Sequence, residues 1–145
     1  MYSIRFCTPE MLEHFSRFEL IRDYINEREE EIRLYNKMKN LPDDDPVSGR
    51  RQTNLGVFRK YLECYLQNNP GINQDMSFIV RQLQSTDKGV PLEVYVFSRE
   101  KAWVEYEGLQ SDIFDHIFAV LPEFELKVFQ TPSGSDARIS MLSVR

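Results

Sequence analysis

The fold that this sequence predicts depends on the stretch Met76-Ser-Phe-Ile-Val-Arg-Gln-Leu-Gln84, followed by Ser-Thr-Asp-Lys-Gly89 and by Val-Pro-Leu-Glu-Val-Tyr-Val-Phe-Ser98. Its two arms are rich in β-branched and aromatic residues, which favour strands. The residues between the arms include an aspartate, a lysine and a glycine, which accept the tight backbone of a turn at low cost. The stretch therefore predicts a β-hairpin.

The two faces of this hairpin differ in composition. Because side chains alternate along a strand, one face carries six apolar residues that need a cover, namely Met76, Phe78, Val80, Leu92, Val94 and Val96. The other face places four large apolar residues among polar ones, and these are Ile79, Leu83, Tyr95 and Phe97. We interpret the first face as core. The second face is too apolar for plain contact with solvent.

Length and composition limit the classes of protein that fit. A chain of 145 residues is long enough for one domain with an appendage and for a core without disulfides or metals. The net charge of −5, with both signs well mixed, weighs against a nucleic-acid surface. Cys7 and Cys64 have neither metal spacing nor a disulfide framework, so we interpret them as unpaired thiols.

The sequence shows no membrane segment of its own. No run approaches the roughly 18–20 apolar residues of a spanning helix, and the first residues lack a signal peptide. We expect this stretch of protein to be soluble. Residues 3–7 read like the end of a strand, so we also expect Met1 to follow further sequence in a longer parent.

A long helical segment opens the chain. Thr8-Pro9-Glu10 combines a hydroxyl cap, a proline at the first helical position and an acid in the first turn. Apolar residues continue at helical spacing as far as Tyr35, with a possible bend near Phe18. The connector 41–49 follows, with two prolines, a glycine and three aspartates. It lacks the alternating oxygen ligands of a calcium loop, so we interpret it as an exposed linker.

The elements after the connector suggest a known architecture. We expect a short strand at 50–56, a helix from Asn54 or Gly56 that ends before Pro70, the hairpin, a helix from Trp103 closed by Pro122, and a strand at 125–130. The apolar positions of the second helix are Trp103, Tyr106, Ile113, Ile117 and Val120. This order predicts an α+β fold, a ferredoxin-like βαββαβ sandwich with two helices on a four-stranded sheet, preceded by the helical segment.

No catalytic constellation is evident. Asp112 and His116 lie four residues apart on one helix face, which indicates an intrahelical hydrogen bond rather than a metal site. The sequence has no glycine-rich phosphate loop and no nucleophile elbow. The loop 53–56 also lacks the arginine that an acyl-phosphate hydrolase would need there. We therefore predict a protein that is not an enzyme, with no catalytic residues, no cofactor and no metal.

Several ordered strings carry a family resemblance. They are Arg51-Gln-Thr-Asn-Leu-Gly-Val-Phe-Arg59, Met76 to Gln84, Gly89-Val-Pro-Leu-Glu-Val-Tyr95, Asp112-Ile-Phe-Asp-His116, and Leu121-Pro-Glu-Phe124 through Phe129-Gln-Thr-Pro-Ser-Gly134. Over about residues 3–136 the chain resembles the cytoplasmic end of bacterial mechanosensitive channels of the small-conductance (MscS) family, in particular the miniconductance, YbdG-like branch.

The resemblance implies a division of the chain. Residues 1–7 would be the end of a preceding β domain, 8–49 a helical segment with its acidic connector, and 50–132 the ferredoxin-like α/β domain of a cytoplasmic vestibule. Residues 133–145 would be a C-terminal tail, possibly a short strand that joins a bottom barrel. Which residues rim a portal of the vestibule stays open.

The resemblance also implies a function. The full-length protein would be a homoheptamer in the bacterial inner membrane, with its transmembrane helices before Met1 and this chain on the cytoplasmic side. It would open under membrane tension during hypo-osmotic shock, and ions and small solutes would pass the vestibule. Ile79, Leu83, Tyr95 and Phe97 then become candidates for contact with a neighbouring subunit or with the β domain.

A second hypothesis stays open at this point. The same order of elements occurs in stand-alone ferredoxin-like regulatory domains that bind small molecules. The sequence immediately before Met1 discriminates between the two, because hydrophobic helices there favour the channel. For the isolated chain we expect a monomer or weak association.

Overall fold

The computed structural model describes residues 3–42, 45 and 47–134. These residues form four α-helices and one two-stranded antiparallel sheet. The helices are α1 (Pro9–Phe15), α2 (Arg22–Met38), α3 (Asn54–Gln67) and α4 (Trp103–Val120), and the strands are β1 (Ile79–Gln82) and β2 (Leu92–Tyr95). Two 3-10 turns, Glu19–Ile21 and Leu121–Phe124, precede α2 and follow α4.

The helical segment begins as its sequence predicts. The Thr8 side chain caps α1 by accepting a hydrogen bond from the Met11 backbone amide at 3.3 Å, and Pro9 occupies the first helical position. Helix α1 ends at Phe15, and α2 begins only after the 3-10 turn. The predicted bend near Phe18 is therefore confirmed.

The predicted hairpin is also confirmed. Its register pairs Ile79 with Tyr95 and Val80 with Val94. At the turn, the Thr86 amide donates to the Gly89 carbonyl at 2.8 Å, and the Gly89 amide donates back at 3.1 Å. Gly89 has φ 128°, a conformation that residues with a side chain rarely adopt.

Five of the six residues predicted for the inner face of the hairpin pack against the core. Val80 is buried, and the other four, Phe78, Leu92, Val94 and Val96, are half-buried. Met76 is 47% exposed, so its assignment to the core is wrong. It precedes β1 by three residues, where the regular alternation of the strand has not yet begun.

The expected ferredoxin-like sandwich is wrong. The described residues form a mostly helical fold whose sheet has two strands instead of four. Helix α3 packs against β1, whereas the 3-10 turn at 121–124 is the main partner of α4. The sheet on which α3 packs therefore lacks the four-stranded face that the sandwich requires.

Both expected outer strands have other backbone partners. The Cys7 amide donates to the Gln52 carbonyl at 2.8 Å, and the Asn54 amide donates to the Arg5 carbonyl at 3.1 Å. The segment expected as a strand at 50–56 thus makes a single bridge with the beginning of the chain, between Phe6 and Thr53, before α3 starts.

The segment expected as a strand at 125–130 begins by closing a turn. Glu125 has φ 55° and ends the 3-10 turn, and the Leu126 amide donates to the Leu121 carbonyl at 3.3 Å. The next amide, of Lys127, donates to the Ser3 hydroxyl at 3.3 Å. These bonds engage the amides of Leu126 and Lys127, which a strand of the sheet would have required.

One hydrophobic core joins residues from both sides of the connector. Its centre is aromatic, with the ring of Phe124 5.1 Å from those of Phe15 and Phe58 and 5.4 Å from that of Phe18. Ile21, Leu62 and Leu66 are fully buried around it, and Ile72 nearly so. The helical segment therefore contributes to the same core as the residues after the connector.

Asn54 ties three parts of this fold together. Its side-chain oxygen accepts hydrogen bonds from the amides of Arg5 and Leu55, both at 3.0 Å. Its side-chain nitrogen donates to the carbonyls of Ser3 at 2.8 Å and Phe124 at 3.2 Å. The first residues, the start of α3 and the end of the α4 turn thus meet at one fully buried amide.

No helix among the described residues is long and apolar enough to cross a membrane. The possible strand in the tail at 133–145 falls almost entirely outside the described residues, which end at 134.

Candidate assembly surface

The outer face of the hairpin holds the four residues that the sequence singled out. Ile79 lies directly opposite Tyr95 in the strand register. The rings of Tyr95 and Phe97 meet edge to face, with centroids 5.4 Å apart. Ile79 and Tyr95 are 40% and 49% exposed, and Phe97 is half-buried. These three side chains form one apolar patch, which we call the hairpin patch.

Leu83 lies on the same face but apart from the hairpin patch. Arg81 and Glu93 are paired in the register between them, and Arg81 Nε donates to Glu93 Oε2 at 2.6 Å. At the rise of a strand, Leu83 is about 13 Å from Ile79. The structure thus brings three of the four predicted contact residues together and separates the fourth by an ion pair.

A second exposed apolar surface lies on α4. Its members are Trp103, Val104, Phe114 and Phe118, which are exposed by 75%, 73%, 48% and 53%. At 3.6 residues per turn they span an arc of about 100°. The rings of Phe114 and Phe118 stack with centroids 6.1 Å apart. We call this surface the α4 stripe.

The sequence marked Trp103 as one of the apolar positions of this helix without assigning it to a face, and the structure places it on the exposed α4 stripe. The core side instead holds Ile113, which is buried, with Leu109, Ile117 and Val120 partly buried. The signal was present in the sequence, because α4 carries apolar residues on two separate arcs. Because only one arc of a helix packs against the core, a second apolar arc indicates an exposed apolar surface.

His116 contacts α3 rather than its own helix. Its Nε2 atom lies 2.8 Å from the Tyr61 hydroxyl, and its ring stacks on Tyr65 with centroids 3.9 Å apart. Burial lowers the pKa of His116 and raises the pKa of Tyr61 and Tyr65, so it favours the neutral form of each of the three groups. We expected a bond from Asp112 to His116, but this cluster instead joins α4 to α3.

The remaining candidate groups lie apart from one another. The other histidine, His14, has its Nε2 atom 3.1 Å from Glu123 Oε2 at the surface. Both cysteines are free thiols, with Cys7 buried and Cys64 half-buried, as expected of unpaired residues. Among the described residues, no group of three or more histidine, cysteine, aspartate or glutamate side chains is arranged to hold a metal ion.

The hairpin patch and the α4 stripe are candidate surfaces for protein contact. Aromatic side chains supply large apolar area and are enriched in the centres of interfaces. Apolar groups clustered on a surface in this way mark places where another surface packs. A comparison with models of known protein families finds none that matches this chain.

Proposed function

We propose that this chain is the cytoplasmic vestibule and assembly domain of a tension-gated channel of the MscS type, active in the response to hypo-osmotic shock. The single structural observation that supports it is the hairpin patch, a solvent-facing cluster of two aromatic side chains and one aliphatic side chain on the outer face of the hairpin. The strings quoted from the sequence, spread over about residues 3–136, supply the choice of family.

The proposal assigns a partner to each exposed surface. The hairpin patch contacts a neighbouring copy of the chain or the preceding β domain, and the α4 stripe provides a further contact surface. In a ring, each copy uses two different surfaces, one toward each neighbour. A chain with two separate apolar surfaces fits that requirement.

The proposal does not depend on the ferredoxin-like architecture. It rests on the ordered strings and on exposed surfaces that the structure describes. The alternative, a stand-alone regulatory domain that binds small molecules, expected the same ferredoxin-like architecture, so the two-stranded sheet does not discriminate between the two hypotheses.

Recordings from the full-length protein test the proposal. Reconstituted in liposomes, it should give currents that appear when suction stretches the patch, and in mild detergent it should sediment as a heptamer. The membrane-spanning helices of the proposed channel lie outside this chain. A full-length protein that is monomeric and insensitive to tension would refute the proposal.

A pair of variants tests the hairpin patch within the full-length protein. Tyr95→Glu with Phe97→Glu should reduce heptamer formation, because two carboxylates would have to lose water on contact. Gln84→Glu with Ser85→Glu adds the same two charges to exposed residues near the hairpin turn and should leave assembly unchanged. Since Phe97 is half-buried, Tyr95→Glu alone serves as a milder variant that preserves packing.

Equal assembly of the wild type, the Tyr95 and Phe97 variants and the control would make this face ordinary surface. Tension-gated current from the wild type would still support the channel in that case, so the two conclusions are separable.

A further inference from the structure

A polar cleft of about 390 Å³ lies between α2 and the extended residues before α3. One wall is a single face of α2, formed by Asn26, Glu29, Arg33 and Asn36 at helical spacing. The other wall is the run Arg50-Arg51-Gln52. Its volume lies in the range of clefts that hold small ligands.

Asn36 fixes the two walls to each other. Its side-chain oxygen accepts a hydrogen bond from the Arg50 amide at 2.9 Å, and its side-chain nitrogen donates to the Arg50 carbonyl at 3.2 Å. The backbone at the mouth of the cleft is therefore held in place before any ligand arrives.

Gln52 leaves one hydrogen-bonding group unused in the cleft wall. Its side chain is 92% buried, and its Nε2 atom donates to Glu29 Oε1 at 2.7 Å. Its Oε1 atom is buried without a hydrogen-bond partner, and it is the one such side-chain atom among the described residues. If the side-chain oxygen and nitrogen of Gln52 were exchanged, the oxygen would face the Glu29 carboxylate, and two acceptors cannot form a hydrogen bond. The nitrogen is therefore the atom bonded to Glu29, and the oxygen is the atom without a partner.

A buried acceptor without a partner is unfavourable, and a ligand with a donor would relieve it. The carboxylate of Glu29 is bonded to the same amide, so a positively charged donor suits this end of the cleft better than a neutral one. The terminal torsion of a glutamine is broad, so the amide is free to adjust to a donor in the cleft.

The cleft lining holds the arginines Arg33, Arg50 and Arg51 beside the carboxylates of Glu29 and Glu30. The Arg50 side chain is exposed, its guanidinium lies 5.0 Å from the centroid of the Tyr35 ring, and it forms no salt bridge within the described part of the chain. The Arg51 guanidinium lies over the Phe6 ring at 5.2 Å and donates to the Cys7 carbonyl. A carboxylate can accept two parallel hydrogen bonds from such a guanidinium.

We infer that this cleft binds a small α-amino acid as its zwitterion. The ammonium group donates to Gln52 Oε1 beside Glu29, and the carboxylate is bound by Arg50 at the mouth. This inference goes beyond the proposed function and does not depend on it, because it uses neither the hairpin patch nor the α4 stripe.

Three probes of the same carbon framework test the inference on the 145-residue chain. L-alanine, L-lactate and propionate differ only in the α-substituent, which is an ammonium, a hydroxyl or a hydrogen. Each is titrated while the side-chain amide signals of Gln52 and Asn36 are followed by ¹H–¹⁵N NMR, and those of Asn36 report binding in variants that lack Gln52. Affinity should fall in that order, by about tenfold for each lost donor interaction. Equal affinity for the three probes, or no binding of L-alanine, would overturn the inference.

Variants separate the two ends of the cleft. Arg50→Gln, at an exposed residue that leaves the fold intact, should weaken binding of all three probes by about tenfold. Gln52→Met should remove the preference for L-alanine over propionate while retaining weak binding of both. Arg17→Gln changes an exposed arginine that does not line this cleft, and the variant should bind as the wild type does.

Inorganic phosphate provides the last control. Its negative charge can pair with Arg50, but it has no ammonium group to donate to Gln52 and Glu29. If phosphate binds the cleft as tightly as L-alanine does, the cleft is a simple anion site. That result would overturn the inference that it binds a zwitterion. Retention of full L-alanine affinity in Arg50→Gln would overturn the assigned orientation and the inference with it.

Discussion

At the scale of single residues, Asn54 has the largest consequence for the fold. A fully buried amide with four hydrogen bonds contacts the first residues of the chain, the start of α3 and the turn after α4. Its two donors and its acceptor oxygen are all satisfied by backbone groups. Those backbone groups would be left without partners if the side chain were removed.

Asn54→Ala should therefore lower the free energy of unfolding by about 2–4 kcal/mol. Urea denaturation followed by circular dichroism measures it. Asn68→Ala removes one exposed hydrogen bond, to the Cys64 carbonyl, and should cost less than about 0.5 kcal/mol. Similar losses in the two variants would show that the Asn54 network contributes little.

Cys7 makes stability depend on alkaline pH. Burial, followed by the nearby Glu29 carboxylate, raises the pKa of this thiol to about 12. In the unfolded chain a cysteine loses its proton near pH 8.5. Between these values the unfolded state binds fewer protons than the folded state, so stability should fall as pH rises from about 9 toward 12.

Comparison with Cys7→Ala isolates this contribution from the tyrosines and lysines that also titrate there. The urea midpoint of the wild type should drop more between pH 8 and pH 10.5 than that of the variant. Parallel curves for the two proteins would show that Cys7 does not contribute to the alkaline loss.

At the scale of elements, α4 shows that one helix can serve two purposes. Ile113, Ile117 and Val120 face the core, and the α4 stripe faces solvent. The helix begins at Trp103 and ends at Val120, and Pro122 follows within the 3-10 turn, as its sequence predicts. Its apolar periodicity identified the helix, and the structure then divides the apolar residues into a core side and an exposed side.

Neighbouring residues of α4 should respond differently to truncation. Ile113→Ala removes buried contacts and should cost about 2–4 kcal/mol. Phe114→Ala removes a larger side chain that is 48% exposed and should cost less than about 1 kcal/mol, mostly from its stacking on Phe118. Urea unfolding of both variants checks this order. A larger loss for Phe114 would place that residue in the core.

At the scale of the whole molecule, the exposed apolar residues are divided into separate surfaces. The Arg81–Glu93 ion pair splits the outer face of the hairpin, and charged or polar residues such as Glu107 and Ser111 interrupt the α4 stripe along its length. Small and interrupted surfaces of this kind give weak association unless other contacts hold the partners together.

The isolated 145-residue chain should therefore sediment as a monomer or a weakly associating species at micromolar concentration. In the proposed channel, contacts outside this chain raise the effective concentration of the subunits. Analytical ultracentrifugation over a hundredfold range of concentration tests this expectation. A stable heptamer of the chain alone would contradict it and would assign the assembly energy to these surfaces.

Local signals in the sequence predicted the local structure well. Thr8-Pro9 gave the start of α1, the asparagines and Pro70 gave the end of α3, and the alternation around Val80 gave the faces of the hairpin. The hairpin patch could be predicted for the same reason, because alternation fixes which side chains share a face. Each of these features depends on residues close together in the chain.

The assembly of the elements could not be predicted in this way. The ferredoxin-like order required residues 50–56 and 125–130 to pair with the hairpin, but residues 5–7 and Ser3 are the partners that they find. The free acceptor of Gln52 is also a tertiary feature, since it depends on how α2 lies against residues 50–52. Neither the backbone partners of these segments nor the free acceptor of Gln52 can be recognised from residues close together in the sequence.

The sequence by itself determined the helices, the hairpin and the alternation that exposes Ile79 and Tyr95. Caps, prolines and periodicity act over a few residues, and their energies do not depend on distant partners. Only the tertiary structure decided that two strands, not four, form the sheet, and that the outer arc of α4 has no cover within the described chain. The first outcome depends on which distant backbone segments pair, and the second depends on which side of α4 lies against the core, so neither is a local property of the sequence.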